Sequence, residues 1–209
     1  MPNLTGPTIA YPTRAFPTQQ AGAPFGIAGE LLMSELVGKY ATLVKAGRVF
    51  YTSAIITAPV IFSTAAQLGP MLWNRPGSGV DAHVLAVGVS SPTTASTVAG
   101  AISYASNTQA TVPTTATALT VMNAYAGGTV SAMGGVFSTA TILVAPTNVP
   151  FPLVPVNTGA ITTAAVAATY VDVGGLFQVG PGSIGYICGN ATLTAGVFTI
   201  GLLWAELPT

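Results

Sequence analysis

Charged residues are scarce in this chain. Its 209 residues include five basic and five acidic side chains, so the formal net charge is zero, whereas a typical soluble domain carries about 25% charged residues. Nucleic acids and anionic membrane surfaces are bound through clustered basic side chains. The composition therefore argues against both as partners.

Long apolar runs are also missing, although half of the residues are hydrophobic. Residues 84–171 contain no charge, yet Thr, Ser, Asn, Gly and Pro interrupt them, and no run reaches the roughly 18–20 apolar residues of a membrane-spanning helix. The start, "MPNLTGPTIA", lacks the basic residues and apolar core of a secretion signal. We therefore expect neither a membrane span nor export through such a signal.

The scarcity of charge has a consequence for the protein surface. Solubility usually depends on a surface of mixed charges, and a domain with 5% charged residues would be a poor monomer. We expect much of the surface to be covered by further copies of the chain or by a larger assembly.

Cysteine and histidine occur once each, at Cys188 and His83. A single cysteine forms no intrachain disulfide and no cysteine-based metal site, and the few His, Cys and Asp side chains offer no convincing metal cluster. We expect no metal and no cofactor, and a buried, inert Cys188.

The histidine lies in "GPMLWNRPGSGVDAHVLAV", residues 69–87, which resembles a reactive site in two ways. The stretch 77–82 fits the dinucleotide pattern G-x-G-x-x-[GA], but that fingerprint needs a helix after the glycines and an acid about 20 positions later. Here a strand follows, and residues 84–171 hold no acid.

Asp81 and His83 share a strand face and suggest a hydrolase, yet the sequence contains no G-x-S-x-G motif of the kind that presents a nucleophilic serine. We therefore interpret the segment as a hairpin around "RPGSG", with Arg75 and Asp81 placed to pair across it.

The N-terminal residues 1–28 are predicted to form an extended arm. Prolines at positions 2, 7, 12, 17 and 24 disfavour helix and central strand alike. The arm is either an unattached terminus or a segment that lies along a neighbouring subunit. Its candidate assembly residues are Ile9, Tyr11, Arg14, Phe16 and Phe25.

Residues 29–209 are predicted to form one β domain. The stretch "GELLMSELVGK" predicts a short helix, in which Glu30 and Glu35 are five apart and point to different faces, unlike a catalytic pair. A hairpin is expected from "YATLV", the turn "KAGR" and "VFYTSAII". Short runs rich in Thr, Val and Ala between residues 90 and 170, punctuated by Pro and Gly, predict the many strands of a sandwich.

Two stretches show the period-two alternation of strands. After the turn at "RPGSG", one face is predicted to carry His83, Leu85, Val87 and Val89, and the other Val84, Ala86, Gly88 and Ser90. Near the C-terminus the predicted core face consists of Phe198, Ile200, Leu202 and Trp204, and Glu206 is expected to mark the exit to solvent.

Three stretches resemble a group of tailed-bacteriophage virion proteins. They are "GELLMSELVGKY…GRVFYTS", "LWNRPGSG" with the strand that follows, and "GPGSIGYICG…LLWAELP", covering residues 29–54, 71–90 and 178–208. The chain departs from that pattern at Val80, where such proteins often carry a basic residue. The resemblance implies an all-β, jelly-roll-like antiparallel sandwich that assembles as a homotrimer on the phage particle.

Three functions follow from this resemblance and from the composition. The first is a non-enzymatic capsid decoration or cement protein on the outer head surface, with the major capsid protein or other virion proteins as partners. The second is a tail fibre or host-receptor-binding protein. The third is a carbohydrate-active enzyme, which would require Asp81, Asp172 and Glu206 to converge. We expect the first.

Overall fold

The computed structural model describes residues 39–57, 59–90, 100–145, 149–156, 168–191 and 197–209. The predicted arm, with Ile9, Tyr11, Arg14, Phe16 and Phe25, lies outside these residues, and so does the helix expected around Glu30 and Glu35. The elements are α1 Ala41–Lys45, β1 Val49–Thr57, β2 Ala66–Asn74, β3 Val80–Ser90, β4 Gly100–Thr108, β5 Thr114–Ala118, β6 Met122–Asn123, β7 Gly135–Thr141, β8 Phe151–Val156, β9 Ala168–Val179, β10 Ser183–Gly189 and β11 Val197–Pro208.

The strands form two antiparallel sheets packed as a sandwich. One sheet has the order β6-β1-β11-β3-β9 and the other β5-β7-β2-β10-β4-β8. Without β5, β6 and β7, the orders β1-β11-β3-β9 and β2-β10-β4-β8 remain, which is the eight-stranded connectivity of a jelly roll. The predicted all-β sandwich is confirmed. The described residues 109–145 lie between β4 and β8 in the chain and form an insertion that extends both sheets.

The segment "YATLV", predicted to be the first strand of a hairpin, contains α1 instead. The amide of Gly47 donates to the Val44 carbonyl at 2.8 Å and that of Arg48 donates to the Leu43 carbonyl at 3.0 Å. Gly47 has φ 68°, a left-handed conformation that commonly ends a helix. The strand predicted at "VFYTSAII" is confirmed as β1, which pairs with β11 and β6. Among the described residues no helix is long enough to span a membrane.

The segment "RPGSG" joins two strands, as predicted, but β2 and β3 belong to different sheets. The connection is therefore an arch that crosses from one sheet to the other at the ends of the strands, and not a hairpin. The Asn74 side chain holds it by donating to the carbonyls of Val80 at 2.7 Å and Val179 at 2.9 Å. Asp81 does not pair with Arg75 as expected, because its carboxylate accepts a hydrogen bond from Gln178 at 2.7 Å.

The alternation predicted for β3 is interrupted at Leu85. Val84 pairs with Trp204 and Ala86 with Leu203, which leaves Leu85 as an extra residue, a β-bulge. The core therefore receives Ala82 and Val84 before the bulge and Val87 and Val89 after it. The prediction that Val87 and Val89 share a face with His83 is wrong for this reason.

The main core lies between the two sheets. The predicted inward face of β11 is confirmed, since Phe198, Ile200, Leu202 and Trp204 are all buried in it. The Trp204 ring stacks on that of Phe50 with their centroids 6.0 Å apart. Burying aromatic side chains of this size contributes strongly to stability.

A second cluster of buried side chains includes Met71, Tyr186 and Cys188. Segments 109–113 and 142–145 of the insertion lie close to this cluster. The Trp73 indole donates to the Gln109 carbonyl at 2.8 Å. The Leu143 amide in turn donates to the Gln109 side chain at 2.8 Å. The buried Trp73 bond thus ties the insertion to the six-stranded sheet, and the Leu143 bond ties the two segments of the insertion to each other.

Two glycines in the strands differ in the space around them. Gly69 has φ +143°, and a Cβ there would lie 2.6 Å from the Ile187 carbonyl oxygen, whereas a Cβ on Gly88 would meet nothing within 4 Å. We predict that Gly69→Ala lowers the free energy of unfolding by about 2–3 kcal/mol, because the backbone must shift. Gly88→Ala, the matched control, should change it by less than about 1 kcal/mol. Urea unfolding followed by tryptophan fluorescence measures both, and equal effects would contradict the packing described for β2 and β10.

Candidate functional site

Glu206 is buried, contrary to the expectation that it marks the exit to solvent. Its side chain is 4% exposed, because Glu206 pairs with Ala82 and so faces the inside of the sandwich. The carboxylate accepts hydrogen bonds from the Trp204 indole at 3.2 Å, from the Ala132 amide at 2.7 Å and from the Ser131 hydroxyl. A buried carboxylate needs such donors to offset its loss of hydration.

The residues around Glu206 join three parts of the chain, which are β11, the 124–134 loop and the turn that precedes β1. Ser131 and Ala132 belong to the 124–134 loop, which leads from β6 to β7. The same loop is fixed through Asn123, whose side chain donates to the carbonyls of Gly47 at 2.8 Å and Thr129 at 2.9 Å. Glu206 thus acts as a structural anchor for the loop, and Asn123 in turn ties the loop to the turn that precedes β1.

The 124–134 loop borders an open cleft of about 810 Å³. The side chains that line it are uncharged, and many are apolar or aromatic. They include Phe50, Leu119, Val121, Met122, Tyr125, Met133 and Phe137. The Glu206 carboxylate supports one wall of this cleft through the loop but is not itself among the lining residues.

The three carboxylates required for a carbohydrate-active enzyme do not converge. Asp81 and Glu206 lie on opposite faces of the five-stranded sheet, because Asp81 pairs with Leu207 and Glu206 with Ala82. Asp172 pairs with Ala86, five residues from Asp81 along β3. Within the described ranges, no three His, Cys, Asp or Glu side chains form a group that could hold a metal ion.

Two other possible nucleophiles, Ser78 and Cys188, also have the contacts of structural residues. The Ser78 hydroxyl donates to the carbonyl of Val80, 3.2 Å away, within its own turn. Cys188 is fully buried, and this burial raises the pKa of its thiol to about 12. The thiol is therefore protonated at neutral pH and lacks the thiolate character of a nucleophile.

The outward side of the five-stranded sheet, here called the outer face, is the most regular exposed surface of the described residues. Pairing across the strands places Tyr51, Leu203, Ala86 and Asp172 in one row, Ser53, Gly201, Gly88 and Tyr170 in the next, and Ile55, Thr199, Ser90 and Ala168 in a third. Tyr51, Ile55 and Tyr170 are exposed. This face was not predicted from the sequence, although the alternation of β1 around Tyr51 and Ile55 indicates it.

Exposed apolar side chains also occur on the insertion. Val112 lies on segment 109–113, and Leu143 and Val144 lie on segment 142–145. These three residues, here called the insertion patch, are on the segments tied to the six-stranded sheet, whereas the outer face belongs to the five-stranded sheet. The described chain thus presents exposed apolar side chains from both sheets.

Comparison with protein-family models, curated proteins and solved structures found no match to the chain. The resemblance to phage virion proteins therefore remains a prediction from the sequence. Function has to be argued from the surfaces described above.

The anchoring role of Glu206 predicts a large effect of its removal. Glu206→Ala should lower the free energy of unfolding by about 2–4 kcal/mol, because the Trp204 indole and the Ala132 amide lose their acceptor in a buried place. Ser131→Ala, which removes one donor and leaves the carboxylate in position, should cost about 1 kcal/mol. Urea unfolding measures stability, and limited proteolysis measures exposure of the 124–134 loop. An Ala variant at position 206 with wild-type stability and wild-type protease resistance would contradict the anchor.

Proposed function

We propose that the chain is a non-enzymatic structural protein of a phage particle, which decorates the outer surface of the head as a homotrimer and cements the shell. The observation that carries this proposal is the exposed insertion patch on a chain with ten charged residues. The Gln109 side chain links the two segments that carry the patch, since it accepts a hydrogen bond from the Leu143 amide and donates one to the Thr111 carbonyl. Apolar side chains exposed together on a surface mark contacts with other proteins.

The proposed mechanism is physical. The insertion patch of each subunit covers apolar surface on the major capsid protein or on a neighbouring copy, and each Å² removed from water contributes about 25 cal/mol before the costs of association. A trimer that contacts several shell subunits multiplies this contribution through its linked sites. The predicted arm, residues 1–28, would add a further contact along a neighbouring subunit.

A tail fibre or host-receptor-binding protein is the alternative, favoured by the hydroxyl groups at the edge of the six-stranded sheet. The Thr115 and Thr141 hydroxyls lie 2.7 Å apart and Thr139 donates to Thr117 at 2.9 Å. Rows of hydroxyls suit a polar ligand on a cell surface. A decoration protein binds heads that lack tails, and a host-binding protein binds cells.

Binding to stripped heads tests the proposal. Purified tail-less heads without the protein are mixed with the full chain and sedimented. The wild type should cosediment, and the double variant Leu143→Lys with Val144→Lys should bind about tenfold more weakly or worse, because two charges would be buried without partners.

Ile55→Lys is the matched control, because Ile55 is 74% exposed and Leu143 65% exposed, and it places a charge on the opposite sheet. Heads should bind this control like the wild type. Equal binding of the double variant and the wild type would contradict the role of the insertion patch. A chain that binds host cells and not heads would favour the alternative function.

A further inference from the structure

The middle of the outer face is a trough without side chains. Gly88 and Gly201 pair directly across β3 and β11. A Cβ on Gly88 would meet nothing within 4 Å, and one on Gly201 would lie 3.6 Å from the Thr52 carbonyl oxygen. Side chains would thus fit at both positions, so packing within the sheet does not require glycine there. A glycine inside a strand often marks a place where a ligand or another backbone approaches closely.

Two exposed tyrosines border the trough on opposite sides. Tyr170 pairs with Gly88 from β9, and Tyr51 lies on β1, one row away from the glycines. Their exposed fractions are 64% and 44%. Since β1 and β9 are three strand spacings apart and the two tyrosines are one row apart, they stand about 16 Å apart on the sheet. This distance suits a short chain of sugar rings better than a single ring.

The chemistry of the trough suits sugars. Each tyrosine offers an aromatic face to the C–H groups of a pyranose ring and a hydroxyl to its polar edge. Further hydroxyls come from Ser53, which is in the glycine row, and from Thr199 and Ser90 in the next row. The shallow floor would let a flat ring approach the backbone of the sheet.

The charges of the outer face disfavour acidic polysaccharides. Asp81 is an acidic side chain of this face whose carboxylate accepts a hydrogen bond from the neutral Gln178 amide, His83 faces the same side, and the described residues of the face include no lysine or arginine. Acidic polysaccharides would be repelled by such a surface, since like charges disfavour the contact. A neutral glycan meets no such penalty.

We propose that the trough formed by Gly88 and Gly201 between Tyr51 and Tyr170 is a binding site for a neutral polysaccharide. The proposal does not rest on the decoration function, because it concerns the opposite sheet from the insertion patch. A decoration protein with this site would hold the particle close to glycan-covered surfaces.

Affinity electrophoresis of the full chain tests the site. The protein is run in native gels that contain dextran, yeast mannan, hydroxyethylcellulose or, as the acidic probe, polygalacturonate. At least one neutral polysaccharide should retard the wild type and polygalacturonate should not. Gly88→Val, which fills the trough and suits a strand, should abolish the retardation. Tyr170→Ala should weaken binding about tenfold by removing one stacking surface.

Tyr125→Ala provides the matched control, because Tyr125 is 50% exposed and belongs to the 124–134 loop and not to the paired rows of the outer face. It should migrate like the wild type in every gel. Absence of retardation by all three neutral polysaccharides would overturn the proposal, and so would retardation that survives Gly88→Val. If Gly88→Val instead lowers the oligomeric state in sedimentation and leaves sugar binding unchanged, the outer face is a contact between copies and the proposal is wrong. Head binding by the same variants is measured in a separate sedimentation experiment. A lack of polysaccharide binding therefore does not contradict the decoration function.

Discussion

Much of the structure depends on how the carboxylate of Glu206 is held inside the sandwich. A carboxylate removed from water is costly unless several donors face it, and here the donors come from Trp204 on the same strand and from Ser131 and Ala132 in the 124–134 loop. The loop is therefore fixed to β11, the strand that lies between β1 and β3. Because Trp204 also stacks on Phe50, the same few contacts join the anchor to the main core.

The local patterns of the sequence predicted individual strands well. The alternation from Phe198 to Trp204 gave the inward face of β11, because one side of that strand is buried along its whole length. The same logic failed at Leu85, where a single extra residue reverses the phase of β3. Nothing in the alternation of β3 alone distinguishes a bulge from a regular strand.

Contacts distant in sequence account for the other errors. Glu206 precedes Pro208 at the end of the chain and is predicted from the sequence to face solvent. It is buried instead, and its hydrogen-bond partner Ser131 is 75 positions away in the sequence. The turn at "RPGSG" identifies where a strand ends, and turn residues alone do not say whether the next strand joins the same sheet. For this reason an arch between sheets was predicted as a hairpin. The arm and its candidate residues lie outside the described part of the chain and stay predictions.

The two sheets present different surfaces, and this difference organises the functional proposals. The insertion patch belongs to segments tied to the six-stranded sheet and is aliphatic, whereas the outer face of the five-stranded sheet combines tyrosines, hydroxyls and bare glycine backbone. A protein attached to a particle through one sheet would leave the other facing outward. The scarcity of charge, which first indicated an assembled protein, is thus consistent with one surface for attachment and another for a neutral ligand.

The central claim is that the chain is a decoration protein of a phage head, and cryo-electron microscopy of the intact particle tests it most directly. The account predicts density for an eleven-stranded, two-sheet sandwich on the outer surface of the head, in groups of three, with the insertion patch toward the shell. Density for this sandwich confined to the tail, or its absence from purified particles, would contradict the account.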